Sequence, residues 1–136
     1  MIQIFCNKRG SGKTKRLIKL ANDRLTISQG DSVYIDDDAS YVRQIDRKIR
    51  FIAAKDFYIN DYEGIYGLLC GVISGNYDIE NIYIDGIFNL EENSLKESEG
   101  CFKKIHDLAT TFKINIYINV NYEEEEVPNF MKKFVA

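Results

Sequence analysis

Between Asn7 and Thr14 the chain reads Asn-Lys-Arg-Gly-Ser-Gly-Lys-Thr, three cations and two glycines in eight residues. Gly10 and Gly12 let the backbone turn its N–H groups toward a ligand, and a helix starting there would aim its partial positive end at the same point. A lysine adds full charge and a threonine hydroxyl can ligate a divalent cation. Together these groups are suited to holding a polyphosphate. Two apolar runs end in carboxylates, Asn81-Ile82-Tyr83-Ile84-Asp85 and Val33-Tyr34-Ile35-Asp36-Asp37-Asp38. A carboxylate at the carboxyl edge of a strand can hold Mg²⁺ through water, because that ion takes few protein ligands and keeps its hydration. Asp85 is the first choice for this role and Asp36 the alternative.

Charge is segregated along the chain. Residues 1 to 22 carry Lys8, Arg9, Lys13, Lys15, Arg16 and Lys19 with no acid, so the remaining residues hold −9 against a net −3. The N-terminal segment is built for an anion, whereas a pI near 5.2 argues against the broad basic stripe of a nucleic-acid surface. A small phosphorylated ligand fits better. Cys6, Cys70 and Cys101 form no C-x-x-C pair, and the single His106 gives neither a nucleophile-base pair nor a zinc ligand set. No apolar run reaches the roughly 20 residues of a membrane span, and the first residues lack a signal-peptide pattern, so a cytoplasmic protein is expected.

The elements that must position these groups alternate between short apolar runs and helical stretches. Strands are expected at 2–6, 32–36, 50–54, 81–85 and 114–120. Helices are expected at 12–28, 41–49 and 61–75, on a stripe from Leu95 to Phe112, and as a short amphipathic piece at 129–134. This pattern implies one domain, residues 1–136, with a three-layer α/β/α architecture around a mostly parallel five-stranded sheet. Gly64, Gly67, Gly71 and Gly75 are unusual, since each glycine inside a helix costs about 1 kcal/mol relative to Ala. Close packing within the domain is the preferred explanation, with a seam to a second copy as the alternative. The run Glu123 to Glu126 reads as a solvated turn.

With its strand before and helix after, Asn7 to Thr14 resembles the Walker A loop of the P-loop NTPase superfamily, and Asn81 to Gly86 resembles a Walker B strand. The resemblance implies nucleotide contacts from Arg9, Gly10, Ser11, Gly12, Lys13 and Thr14. It places Lys13 on the terminal phosphates, and Thr14 with Asp85 on Mg²⁺. Two departures stand out. Asn7 replaces the first glycine of the pattern, a substitution that tolerance for left-handed angles would accommodate. Gly86 stands where one large branch carries a catalytic Glu, leaving Glu91 or Glu92 to curl back or to act as solvated first-turn acids. The same branch ends its next strand in a polar sensor, a place Asn119 or Asn121 fits, although the alternation of Ile114, Ile116 and Ile118 with Asn115, Tyr117 and Asn119 also describes a strand with one wet face. Lys8 sits where partition and metal-transport ATPases carry an extra lysine that reaches across a dimer, but Arg9 breaks the usual Gly-Gly pair of that family. The chain is also similar to small bacterial proteins grouped with pilus-retraction ATPases. No N-K-x-D-like guanine element follows the loop, so ATP is expected over GTP.

The resemblance thus implies ATP and Mg²⁺ as cofactors and slow Mg²⁺-dependent ATP hydrolysis, with Lys13, Asp85 and Glu91 as candidate catalytic groups. The alternative is a non-hydrolysing nucleotide-binding regulatory or interaction module, and a small-molecule kinase ranks third. A homodimer or another protein partner could supply the missing lid; neither a membrane nor nucleic acid is an expected partner.

Overall fold

The computed structural model describes residues 1–8, 10–88 and 95–136. Five parallel strands form one sheet: β1 (Ile2–Cys6), β2 (Asp31–Asp36), β3 (Arg50–Ala53), β4 (Ile79–Ile84) and β5 (Asn115–Val120), in the order β1-β5-β4-β2-β3. Helix α1 (Lys13–Leu25) covers one face, while α2 (Tyr62–Ser74) and α3 (Glu99–Phe112) cover the other, giving the three-layer α/β/α arrangement with an all-parallel sheet. Among the described residues no helix is long and apolar enough to cross a membrane.

Two register rows explain how the faces differ. Ile4, Ile118, Ile84 and Ile35 pair across the sheet and point into the core beneath α2 and α3. One residue back, Tyr117, Tyr83, Tyr34 and Phe51 pair across the opposite face, with ring centroids 5.0, 6.2 and 6.0 Å apart. Leu17, Ile18 and Ala21 of α1 pack on this aromatic ladder. Successive side chains alternate faces, so the next residues on the ladder side, at the carboxyl end, are Asp36, Asp85 and Asn119. A polar row therefore sits directly above an aromatic one.

Several elements differ from expectation. The stretch 41–49 makes only a short 3-10 turn, Val42–Gln44. Beyond it the Asp46 carboxylate accepts from the Lys48 N–H and the Asn22 side chain accepts from the Asp46 N–H, side-chain bonds that compete with helix formation. The apolar stripe of α3 ends at Ala109, and Phe112 is exposed. Helix α4 (Asn129–Lys132) is shorter than the expected piece. Residues 134–136 instead run beside β1, the Ile4 N–H donating to Phe134 O at 2.8 Å and the Ala136 N–H to Ile4 O at 2.9 Å. The outer edge of the strand that feeds the Asn7–Thr14 loop is thereby covered.

The glycines of α2 divide: Gly64 packs closely, since a Cβ there would fall 3.0 Å from Asp61 Oδ1 and 3.3 Å from Ile59 Cγ2, whereas Gly67 and Gly71 do not serve close packing inside the domain as expected. Among the described residues, a Cβ built on Gly67 or Gly71 meets nothing within 4 Å, so this side of the helix is open to them. Gly75 caps the helix, and its N–H bonds Gly71 O at 3.1 Å. Gly67→Ala and Gly71→Ala should therefore each raise the unfolding free energy by about 0.5–1 kcal/mol through helix propensity and a less flexible unfolded chain. Urea denaturation checks this; a loss of stability in either variant would mean that something approaches the open side.

Candidate functional site

The loop is organised around a buried lysine. Lys13 is the first residue of α1 and only 6% exposed, with Nζ donating to Lys8 O at 3.0 Å. The same carbonyl accepts the Ser11 N–H at 3.2 Å, so the chain closes on itself over the ammonium group. Gly10 and Gly12 have φ of +85° and +88°, and among the described residues a Cβ on either would meet no other atom within 4 Å. The two glycines satisfy a left-handed backbone and leave the space above the turn clear. Asn7 does not use its tolerance for left-handed angles: among the described residues the only non-glycines with positive φ are Tyr58 and Lys113. It holds the loop in another way, its Oδ1 accepting the Lys8 N–H at 2.9 Å.

The start of α1 is left electrostatically open. Gly12 as N-cap offers no side-chain acceptor, the first turn holds no acid, and the Arg16 N–H takes Gly12 O at 3.1 Å. Among the described residues no main-chain hydrogen bond engages the N–H groups of Gly12, Thr14 or Lys15. Donors at a helix N-terminus that lack a capping side chain are suited to an anion. Ser11 contributes less than the sequence suggests, because its own N–H is spent on Lys8 O.

Opposite the loop, the sheet presents two buried carboxylates, Asp36 at 7% and Asp85 at 5% exposure. Both line one cavity of about 680 Å³ together with Gly10, Gly12, Lys13 and Thr14. Burial first, and the neighbouring Asp85 carboxylate second, push the Asp36 carboxyl up to about 7, although the Asp37 N–H bonds its Oδ1 at 2.7 Å. The Tyr34 hydroxyl donates to Asp85 Oδ2 at 3.5 Å; burial and the two carboxylates hold this phenol far above its ordinary value, so it remains a donor. Among the described residues no cluster of three or more His, Cys, Asp or Glu converges on one point. Two carboxylates and a threonine hydroxyl on a roomy cavity fit an ion that keeps most of its water, the Mg²⁺ pattern, better than an all-protein cage.

Gly86 explains the missing acid after Asp85. Its φ is +71°, and a Cβ there would fall 2.7 Å from Asp36 Oδ1. The space next to Asp85 is already filled by the second carboxylate, which a sequence pattern cannot reveal. Of the sensor candidates, Asn121 lines the 680 Å³ cavity. Asn119 lines a different one, and the strand carrying it is buried on both faces, so the wet-face explanation fails. Lys8 forms an ion pair with Glu123 at 3.4 Å. This gives the acidic turn at Glu123 to Glu126 a contact with the loop beyond simple solvation. Burial pushes the Cys6 and Cys101 thiols up to about 11, far from a thiolate nucleophile. Arg9, Glu91 and Glu92 lie outside the described residues. No protein-family model matches the chain, and no curated protein matches it.

Two outcomes follow from the paired carboxylates. Asp36 titrates near 3.8 when free and near 7 when folded. Its protonated form is therefore the one that folding favours, and its contribution is complete below about pH 4 and lost as pH rises through about 7. Urea titrations without divalent cations should show stability falling over that window, and Asp36→Asn should flatten the fall. Gly86→Ala should cost about 1–2 kcal/mol from the left-handed backbone alone, and more where Asp36 must move; thermal melts of this variant with Asp36→Ala as the second mutation, which removes the oxygen that the Cβ would meet, should show part of the loss recovered.

Proposed function

We propose that the chain binds ATP with Mg²⁺ in the cavity between the Asn7–Thr14 loop and the Asp36–Asp85 pair, and hydrolyses it slowly. The observation that carries this reading is Lys13, buried beneath its own loop at an uncapped helix start and lining the same cavity as both carboxylates. Gly12, Thr14 and Lys15 supply main-chain donors to phosphate oxygens, and the Lys13 ammonium pairs with the terminal phosphates. Thr14 and Asp85 would hold Mg²⁺, which when bound neutralises charge on the phosphates. Asp36, with a carboxyl near 7, is the group suited to take a proton from water at neutral pH. ATP is preferred over GTP on the sequence argument alone.

A second reading, a nucleotide-binding module that does not hydrolyse, is favoured by Gly86, where geometry excludes a side chain beside Asp85. Thermal shift and phosphate release separate the two. MgATP should raise the melting temperature of the wild type, and Lys13→Ala should abolish the rise. Phosphate release should be slow in the wild type and fall at least tenfold in Asp36→Asn, which should still bind nucleotide. Release at background level in both, with the thermal shift retained, supports the module; a shift that persists in Lys13→Ala removes the cradle.

A further inference from the structure

Asn119 is 1% exposed, and among the described residues neither its Nδ2 nor its Oδ1 has a hydrogen-bond partner. Each unmet polar group in such a place costs about 1–3 kcal/mol, so the carboxamide calls for a ligand that the folded chain does not itself supply. It lines a cavity of about 420 Å³ between α1 and β1, walled by Phe5, Leu17 and Leu20 and bordered by Lys13 and Arg16. Phe5 pairs with Asn119 across β1 and β5, so ring and carboxamide stand side by side on the sheet.

We infer that this cavity binds an adenine-type heterocycle. A carboxamide presents an acceptor and a donor next to each other in one plane, the complement of an amino group beside a ring nitrogen, and asparagine reads adenine in this way on nucleic acids. The major-groove edge of guanine offers two acceptors and would leave Oδ1 unmet. A simple aliphatic ligand would satisfy neither atom. Phe5, Leu17 and Leu20 supply the apolar walls that a flat ring needs, and Lys13 and Arg16 suit a ring carrying an anionic tail. The volume lies in the range of small-molecule sites. The heterocycle has two possible sources: a free nucleoside, or the base of a nucleotide whose phosphates reach the loop, in which case the inference rests on the function proposed above. Lys13 lines both cavities.

The test uses adenosine, which has no phosphate, and inorganic tripolyphosphate, which has no base, on the full chain. Adenosine should give saturation-transfer signals with the wild type, and Asn119→Leu should weaken its binding by about tenfold or more. Leu20→Trp, which fills the cavity from the helix side and leaves the amide alone, should do the same while the tripolyphosphate thermal shift stays intact. Adenosine binding that persists in saturating ATP identifies a separate nucleoside; competition between adenosine and ATP identifies the base of the nucleotide, and both outcomes support the pocket. No adenosine binding to the wild type overturns the inference. Binding that neither variant weakens overturns it as well. Failure of the phosphate reading looks different: adenosine still binds and tripolyphosphate gives no shift.

Discussion

A buried ammonium group must find acceptors, and Lys13 finds one in the carbonyl of Lys8. Much of the loop follows from that contact. The carbonyl is turned inward and also takes the Ser11 N–H, which in turn requires left-handed backbone on both sides, at Gly10 and Gly12. Asn7 fixes the approach by bonding the Lys8 N–H, and Glu123 holds the Lys8 side chain on the far side. The exposed ion pair adds little energy on its own; its effect is to keep Lys8 oriented while its carbonyl serves the interior.

The sheet supplies the other half of the arrangement through register. Strand order β1-β5-β4-β2-β3 sets the loop at one edge and the two Asp-ended strands beside each other, with β5 between. Because the ladder of Tyr117, Tyr83, Tyr34 and Phe51 fills the space below, the row above it has an apolar floor. Burial on that floor, with Asp85 alongside, is what raises the Asp36 carboxyl. The same burial keeps Tyr34 protonated as a donor to Asp85.

The amino-acid sequence showed the alternation of strands and helices, and so the layers, because apolar period and turn residues are local properties. It also marked Lys13, Thr14, Asp36 and Asp85, which structure brings to one cavity. What it could not show was the reason behind Gly86, the burial of Asn119 and the open side of α2, since each depends on a neighbour far away in the chain. Asp36 lies fifty residues before Gly86, and only strand order makes them touch. The expected helix at 41–49 failed for a related reason: Asn22, on α1, takes the Asp46 N–H.

The clash between residue 86 and Asp36 also bears on how such a sequence can change over generations. A mutation that gives residue 86 a side chain forces Asp36 to shift and is less costly once Asp36 has been replaced by something smaller, so the effect of either change depends on the other. A lineage that keeps Asp36 is favoured to keep glycine next to Asp85, which leaves the β2 side of the cavity as the easier place for its chemistry to be refined.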